Sequence, residues 1–189
     1  MPRLRVHNLS ISVDGYAAGP GQDLAHPLGV DGERLQGWVF ATPTGRAMLG
    51  EPGADSAPGV IDRDRDRPDE QWTGWWGEDP PHPDPVFVLT SHPRPPLTMA
   101  GGTTFTFVTD GIEAALAQAC AAAGDADVRL GGGADTVRQY LRAGPVDELH
   151  VTVVPVLLGG GERLYDAFDG GPAGLECVEF AGSPVTPRG

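Results

Sequence analysis

Lysine is missing from the 189 residues, so all 13 basic side chains are arginines. Without a lysine amine there is no Schiff-base nucleophile and no lysine base, and pyridoxal-phosphate chemistry and the lysine-dependent Walker loop both drop out. Cysteine is nearly as scarce. Cys120 and Cys177 lie far apart and form no C-x-x-C pair, which reads as buried thiols in a reducing compartment. Positive charge is outnumbered by 26 acidic residues, and the net charge of -13 repels nucleic acid and anionic membranes; neither is expected as a partner. No stretch approaches the roughly 18 apolar residues of a membrane span. The opening MPRLRVHNLSISVDG lacks the apolar run of a signal peptide, so a cytoplasmic protein is expected. His7, His26, His82 and His150 share no ligand spacing, and no metal is expected.

What the chain has in plenty is glycine, with 28 residues. Its length suits one domain over residues 1–189 with a substantial core. Val128 to Leu141, VRLGGGADTVRQYL, reads as a buried strand, a three-glycine turn and a helix in immediate succession. Successive glycines let a ligand approach the backbone, and the helix that follows offers unpaired N–H groups and the positive end of its dipole. That arrangement suits a phosphate; the alternative is a tight strand-to-helix turn with no ligand. Gly133 is not followed by Gly-Lys-Ser/Thr, so a P-loop is excluded, and Thr136 stands where a full G-x-G-x-x-G would want a small residue.

Along the chain, Leu9, Ile11 and Val13 alternate with Ser10, Ser12 and Asp14, which predicts a strand ending at an Asp14-Gly15 turn, its polar face available to line a site. A short helix is expected within Leu35 to Leu49, interrupted by Pro43 and Gly45. From Gly50 to Pro85 no apolar periodicity is present, and the alternating charges of Asp62 to Arg67 predict an exposed loop; Trp72, Trp75 and Trp76 require part of it to fold back. Val86 to Leu89 and Thr104 to Val108 are strands, Thr109-Asp110 caps a helix over Gly111 to Ala123, and Asp147 to Val154 and Glu176 to Phe180 complete the strands. Strands alternating with helices predict a largely parallel sheet whose ligands lie beyond the carboxyl ends of the strands, where Asp14, Thr90 to His92 and Gly131 to Gly133 all fall.

These segments resemble the reductase domain of riboflavin biosynthesis, the carboxy-terminal domain of the bifunctional deaminase-reductase, and its dihydrofolate-reductase-like relatives. The resemblance rests on SISVDGYAAG at 10–19, PVFVLTSHPRPP at 85–96, FVTDGIEAAL at 107–116, VRLGGGADTVRQYL, and DELHVTVVPVLLGGGERLY at 147–165. It implies an α/β, dihydrofolate reductase-like three-layer fold with a mostly parallel mixed central sheet flanked by helices, NADPH as hydride donor, a small heterocyclic or carbonyl substrate, and a homodimer. By position it implies that Gly131, Gly132, Gly133, Ala134 and Asp135 cradle the cofactor phosphates, with Gly132-Gly133 a candidate cis peptide. Thr90, Ser91 and His92 fall where the family holds the adenosine 2′-phosphate, and Asp14 where it shapes the nicotinamide and substrate pocket. Asp14 is the candidate catalytic residue, to orient substrate or relay a proton; an ordinary Asp-Gly turn is the alternative.

The chain departs from the family in two places. Where members carry a further helix and a core strand ending in a Gly-Arg-type turn, it has GEPGADSAPGVIDRDRDRPDEQW, and no strand of that kind is found between Ala47 and Trp72. The last strand is cut short by PVTPRG. Three functions follow as expectations: an NADPH-dependent reductase, a non-catalytic dimeric nucleotide- or pterin-binding protein that has lost part of the cofactor site, and a structural domain whose tryptophans build an interface.

Overall fold

The structure is a computed structural model that describes residues 2–23, 26–40, 63–64, 80, 84–166, 168 and 174–182. In chain order the elements are β1 (Leu4–Ser12), β2 (Tyr16–Ala18), a 3-10 turn (Gly32–Leu35), α1 (Gly37–Phe40), β3 (Arg63–Asp64), β4 (Val86–Thr90), β5 (Leu97–Thr98), β6 (Thr104–Val108), α2 (Gly111–Ala123), β7 (Val128–Leu130), α3 (Ala134–Ala143), β8 (Val146–Val154) and β9 (Glu162–Arg163). The pairs β1–β7, β1–β8, β3–β4 and β4–β6 are parallel, and β5–β6 and β2–β9 antiparallel. A mostly parallel sheet with helical crossovers is what the strand-helix alternation predicts.

β1 is the centre of a three-stranded sheet, in the order β7-β1-β8; a four-stranded sheet runs β3-β4-β6-β5, and β2 and β9 form a two-stranded one. The β1–β8 register shifts twice, between Leu4 and Arg5, where β8 carries the extra residue, and between Val6 and Leu9, where two residues of β1 stand against one of β8. That bulge switches the side-chain parity, so that Val6 and Leu9 meet Leu149 and Val151 on the same face of the sheet. Leu4, Val6 and Ile11 pack there with Val128 and Leu130 of β7 and with Val137 and Tyr140 of α3. Fully burying side chains of this kind contributes about 1.5–3 kcal/mol each. α3 presents Ala134, Val137, Tyr140 and Leu141 to this core, a helical stripe, and Tyr140 donates its hydroxyl to the carbonyl of Ile112 in α2 at 2.7 Å.

Several expectations are corrected. The polar face of β1 is closed: Ser10 and Ser12 are buried, and Ser10 Oγ accepts the indole N–H of Trp38 in α1 at 3.0 Å. Between Ala47 and Trp72 the described residues hold one two-residue pair, Arg63–Asp64, parallel to Leu89 and Thr90, and not the core strand that family members carry. Ladder hydrogen bonds are made by the backbone, so alternating charge does not forbid a short pair with no partner on its far side among the described residues. Glu176 to Phe180, expected as a strand, joins no ladder among the described residues, and Val178 and Phe180 are 86% and 91% exposed. Asp110 holds the N-cap position of α2 but makes no side-chain capping bond. Trp72, Trp75 and Trp76, and most of the 50–85 loop, lie outside the described residues. Among the described residues no helix is long and apolar enough to cross a membrane.

Candidate functional site

β7 ends at Leu130 opposite Val6, while β1 continues beside β8 to Ser12. Along Leu9 to Ser12, therefore, the β7 side of β1 carries no strand among the described residues. Six residues of strand, about 20 Å, separate Val6 from Ser12. The Gly131–Gly133 turn stands at the near end of this edge and the Asp14 turn at the far end, each following the carboxyl end of a parallel strand, where ligands of such sheets bind.

Gly132 is buried, has φ +139°, and is joined to Gly133 by a cis peptide. Among the described residues, no atom lies within 4 Å of a Cβ built on Gly132, so none of them fills the space in front of this turn. α3 begins directly afterwards at Ala134, and the first amides of a helix have no intrahelical acceptor. Within this first turn, the buried Thr136 Oγ1 has no hydrogen-bond partner among the described residues. Room in front of a glycine turn, helix amides behind it and an orphaned hydroxyl fit a phosphate-bearing group. Ala134 is buried, and the Asp135 carboxylate accepts from Arg138 Nη2 at 3.1 Å and Gln139 Nε2 at 3.0 Å. The charge of Asp135 is thus paired, which lessens its repulsion of an anion at the turn.

Asp14 is fastened on several sides. Its oxygens accept the amides of Leu158 at 3.2 Å and Gly159 at 2.8 Å. The Ser12 hydroxyl beside it, with those amides, outweighs desolvation and holds the carboxyl down to about 2. Ser12 Oγ in turn accepts the amide of Tyr16 at 2.9 Å. Such a carboxylate stays ionised at neutral pH, a geometry for positioning a loop rather than for donating a proton.

The end of β4 carries the third expected element. Thr90 is buried and its Oγ1 accepts the amide of His92 at 3.0 Å, while Ser91 is exposed and His92 half-buried. Arg94, two residues on, lies over the ring of Phe107 at 4.9 Å and adds a cation to this loop. Sequence reasoning passed over it because an arginine in a Pro-rich loop carries no local signal.

It also passed over the segment after β8. Gly161 packs so closely on β2 that a Cβ there would sit 2.0 Å from the carbonyl oxygen of Ala18. Arg163 lies over the Tyr16 ring at 4.8 Å, the Tyr16 hydroxyl pushing its already high pKa further up, and buried Leu164 donates its amide to the Gly15 carbonyl at 3.0 Å. The triplet Gly159 to Gly161 was the one visible signal. Among the described residues no three His, Cys, Asp or Glu side chains gather to hold a metal.

A mostly parallel α/β sheet with a glycine turn at the end of a strand next to its centre defines a dihydrofolate-reductase-like fold. The profile of the RibD C-terminal domain family matches residues 5–180, and the chain belongs to that family. Among solved structures, a protein of Shewanella sp. PV-4 named for riboflavin biosynthesis is similar at 22% identity and a TM-score of 0.50, over 87% of this chain and 82% of that one, a likeness of fold. No curated protein matches. The family is reductase-like, and the chain is accordingly similar to reductases of the riboflavin pathway.

Proposed function

We propose that the protein is an NADPH-dependent reductase that transfers hydride to a small heterocyclic or carbonyl substrate. The observation that carries this reading is Gly132, between the end of β7 and the first turn of α3, with no atom of the described residues within 4 Å of a Cβ built there. Gly131, Gly132, Gly133, Ala134 and Asp135 hold the diphosphate through backbone amides; Thr90, Ser91 and His92, with Arg94 beside them, hold the 2′-phosphate.

NADPH supplies the hydride when bound. The chain's part is to hold donor and acceptor in line and exclude water. Asp14 contributes by position: through the amides of Leu158 and Gly159 it fixes the turn after β1 against the segment after β8, at the far end of the open edge. With Asp14 ionised, the proton that completes reduction comes from solvent water. The protein works as a homodimer in the cytoplasm, which light scattering and fractionation check.

Titration with NADPH, read by energy transfer from tryptophan, tests the reading. Saturable binding below millimolar supports it, and none at millimolar rejects it. The ionised state of Asp14 favours one second reading, a nucleotide- or pterin-binding protein without turnover; tight binding with no loss of NADPH absorbance across a panel of pterins and flavins would establish it.

A further inference from the structure

α3 meets the segment after β8 through arginine. The guanidinium of Arg138 is forked: Nη1 donates to the Arg163 carbonyl and Nη2 to Asp135 Oδ1 at 3.1 Å. The Arg138 side chain is 14% exposed, and its bond to Asp135 is part-buried while its bond to the Arg163 carbonyl lies at the surface. Asp135 belongs to the first turn of α3, directly after the glycine turn. Arg163 stands opposite Tyr16 in the β2–β9 pair, and its neighbour Leu164 bonds to Gly15. One side chain thus spans from the nucleotide turn to the loop that carries Asp14. Arg142 grips the same segment, donating to the Asp166 carbonyl at 2.9 Å and lying over the Phe168 ring at 5.3 Å. It is seven residues from Asp135, about 10 Å along the helix axis.

We infer that Arg138 is a positioning residue that couples nucleotide binding at Gly131–Gly133 to the placement of the Asp14–Tyr16 loop. The inference rests on the reading that this turn binds NADPH. A nucleotide that orders the first turn of α3 orders Asp135, then the Arg138 fork, then the Arg163 carbonyl and the loop paired with it. By linkage, a ligand that orders the loop tightens the nucleotide by the same factor. Lysine does not replace the fork, because an ammonium lacks the planar pair of donors that reaches both acceptors.

Amide exchange at Gly15, Tyr16 and Arg163 to Asp166, with and without NADPH, tests the coupling in the wild type, Arg138→Met and Arg142→Met. NADPH is expected to slow exchange at these amides about tenfold in the wild type and in Arg142→Met, within the usual range of coupling. In Arg138→Met the nucleotide Kd stays within about threefold, as expected for a side chain not touching the ligand, while the protection disappears. Arg138→Lys, which keeps charge and most of the packing, loses the protection as well and guards against a Met variant that fails to fold. Protection that survives in Arg138→Met and Arg138→Lys, or that is lost equally in Arg142→Met, overturns the inference. Wild type that binds NADPH without protecting these amides overturns it alone; wild type that binds no NADPH overturns it together with the reading of the site.

Discussion

The Asp14 carboxylate accepts the amide of Gly159 at 2.8 Å, tying the turn after the central strand to a residue that is distant in sequence but adjacent through the neighbouring parallel strand. An expected catalytic side chain is thereby part of the scaffold that places its own loop.

The acid side of the stability curve tests this bond. The folded-state carboxyl lies at about 2, below the ordinary 3.8, so its ionised form stabilises the fold above 3.8 and that contribution is lost as pH falls from 3.8 towards 2. Asp14→Asn is expected to lower the urea midpoint at pH 5 and to leave a smaller drop on going to pH 3. Asp127, lowered by the backbone amide of Arg3 and then by Arg5 and Arg3 charges, loses its share in the same direction and persists in the variant. An unchanged drop in Asp14→Asn would show that the bond is not made in solution.

Gly132 and Gly161 are predicted to respond oppositely to alanine. At Gly132 there is room, so the variant carries only the strain of φ +139°, about 1–2 kcal/mol, while its methyl intrudes where the phosphates approach and weakens NADPH binding tenfold or more, roughly 1.4 kcal/mol. At Gly161 the methyl strikes the backbone of Ala18 and Gly19, and a loss of about 3–4 kcal/mol is expected. Thermal melts and nucleotide titrations separate the two; equal melting temperatures would refute the packing described for Gly161.

Tyr140→Phe removes the hydroxyl bond to the Ile112 carbonyl, which keeps its place in the helix ladder of α2, at a cost of about 1 kcal/mol. Nucleotide affinity should not move, because the bond lies between α2 and α3 within the core. Burial pushes this phenol up to about 12, so no tyrosine titration from it is expected below strongly alkaline pH.

Arg94→Ala should weaken NADPH about tenfold, the worth of one charge-assisted hydrogen bond to phosphate, and leave NADH unchanged. Parallel titrations with the two nucleotides check this. An equal loss for both would move Arg94 from the 2′-phosphate to a general electrostatic role.

Much of the architecture was legible before the structure. Thr104 to Val108 and Gly111 to Ala123 form a strand and a helix with the expected bounds, and the glycine turn is followed by its helix. These rest on short-range physics: β-branched and aromatic runs favour extended backbone, alanine favours helix, and glycine alone tolerates the turn. The closed polar face of β1 was not legible, because alternation shows that two faces differ and not that Trp38 covers the second. The Arg63–Asp64 pair was hidden for a related reason, since a backbone ladder leaves no mark on side-chain pattern.

Local chain chemistry settled where the longer strands and helices between residues 86 and 154 lie and which turn lacks side chains, because each depends on residues within a few positions of one another. Folding in three dimensions decided the rest: that a bulge at residues 7 and 8 turns Val6 and Leu9 to one core, that Asp14 is spent on Gly159, and that Arg138 reaches both Asp135 and Arg163. Each of these needs register, burial or an angle between elements that no run of neighbouring residues contains.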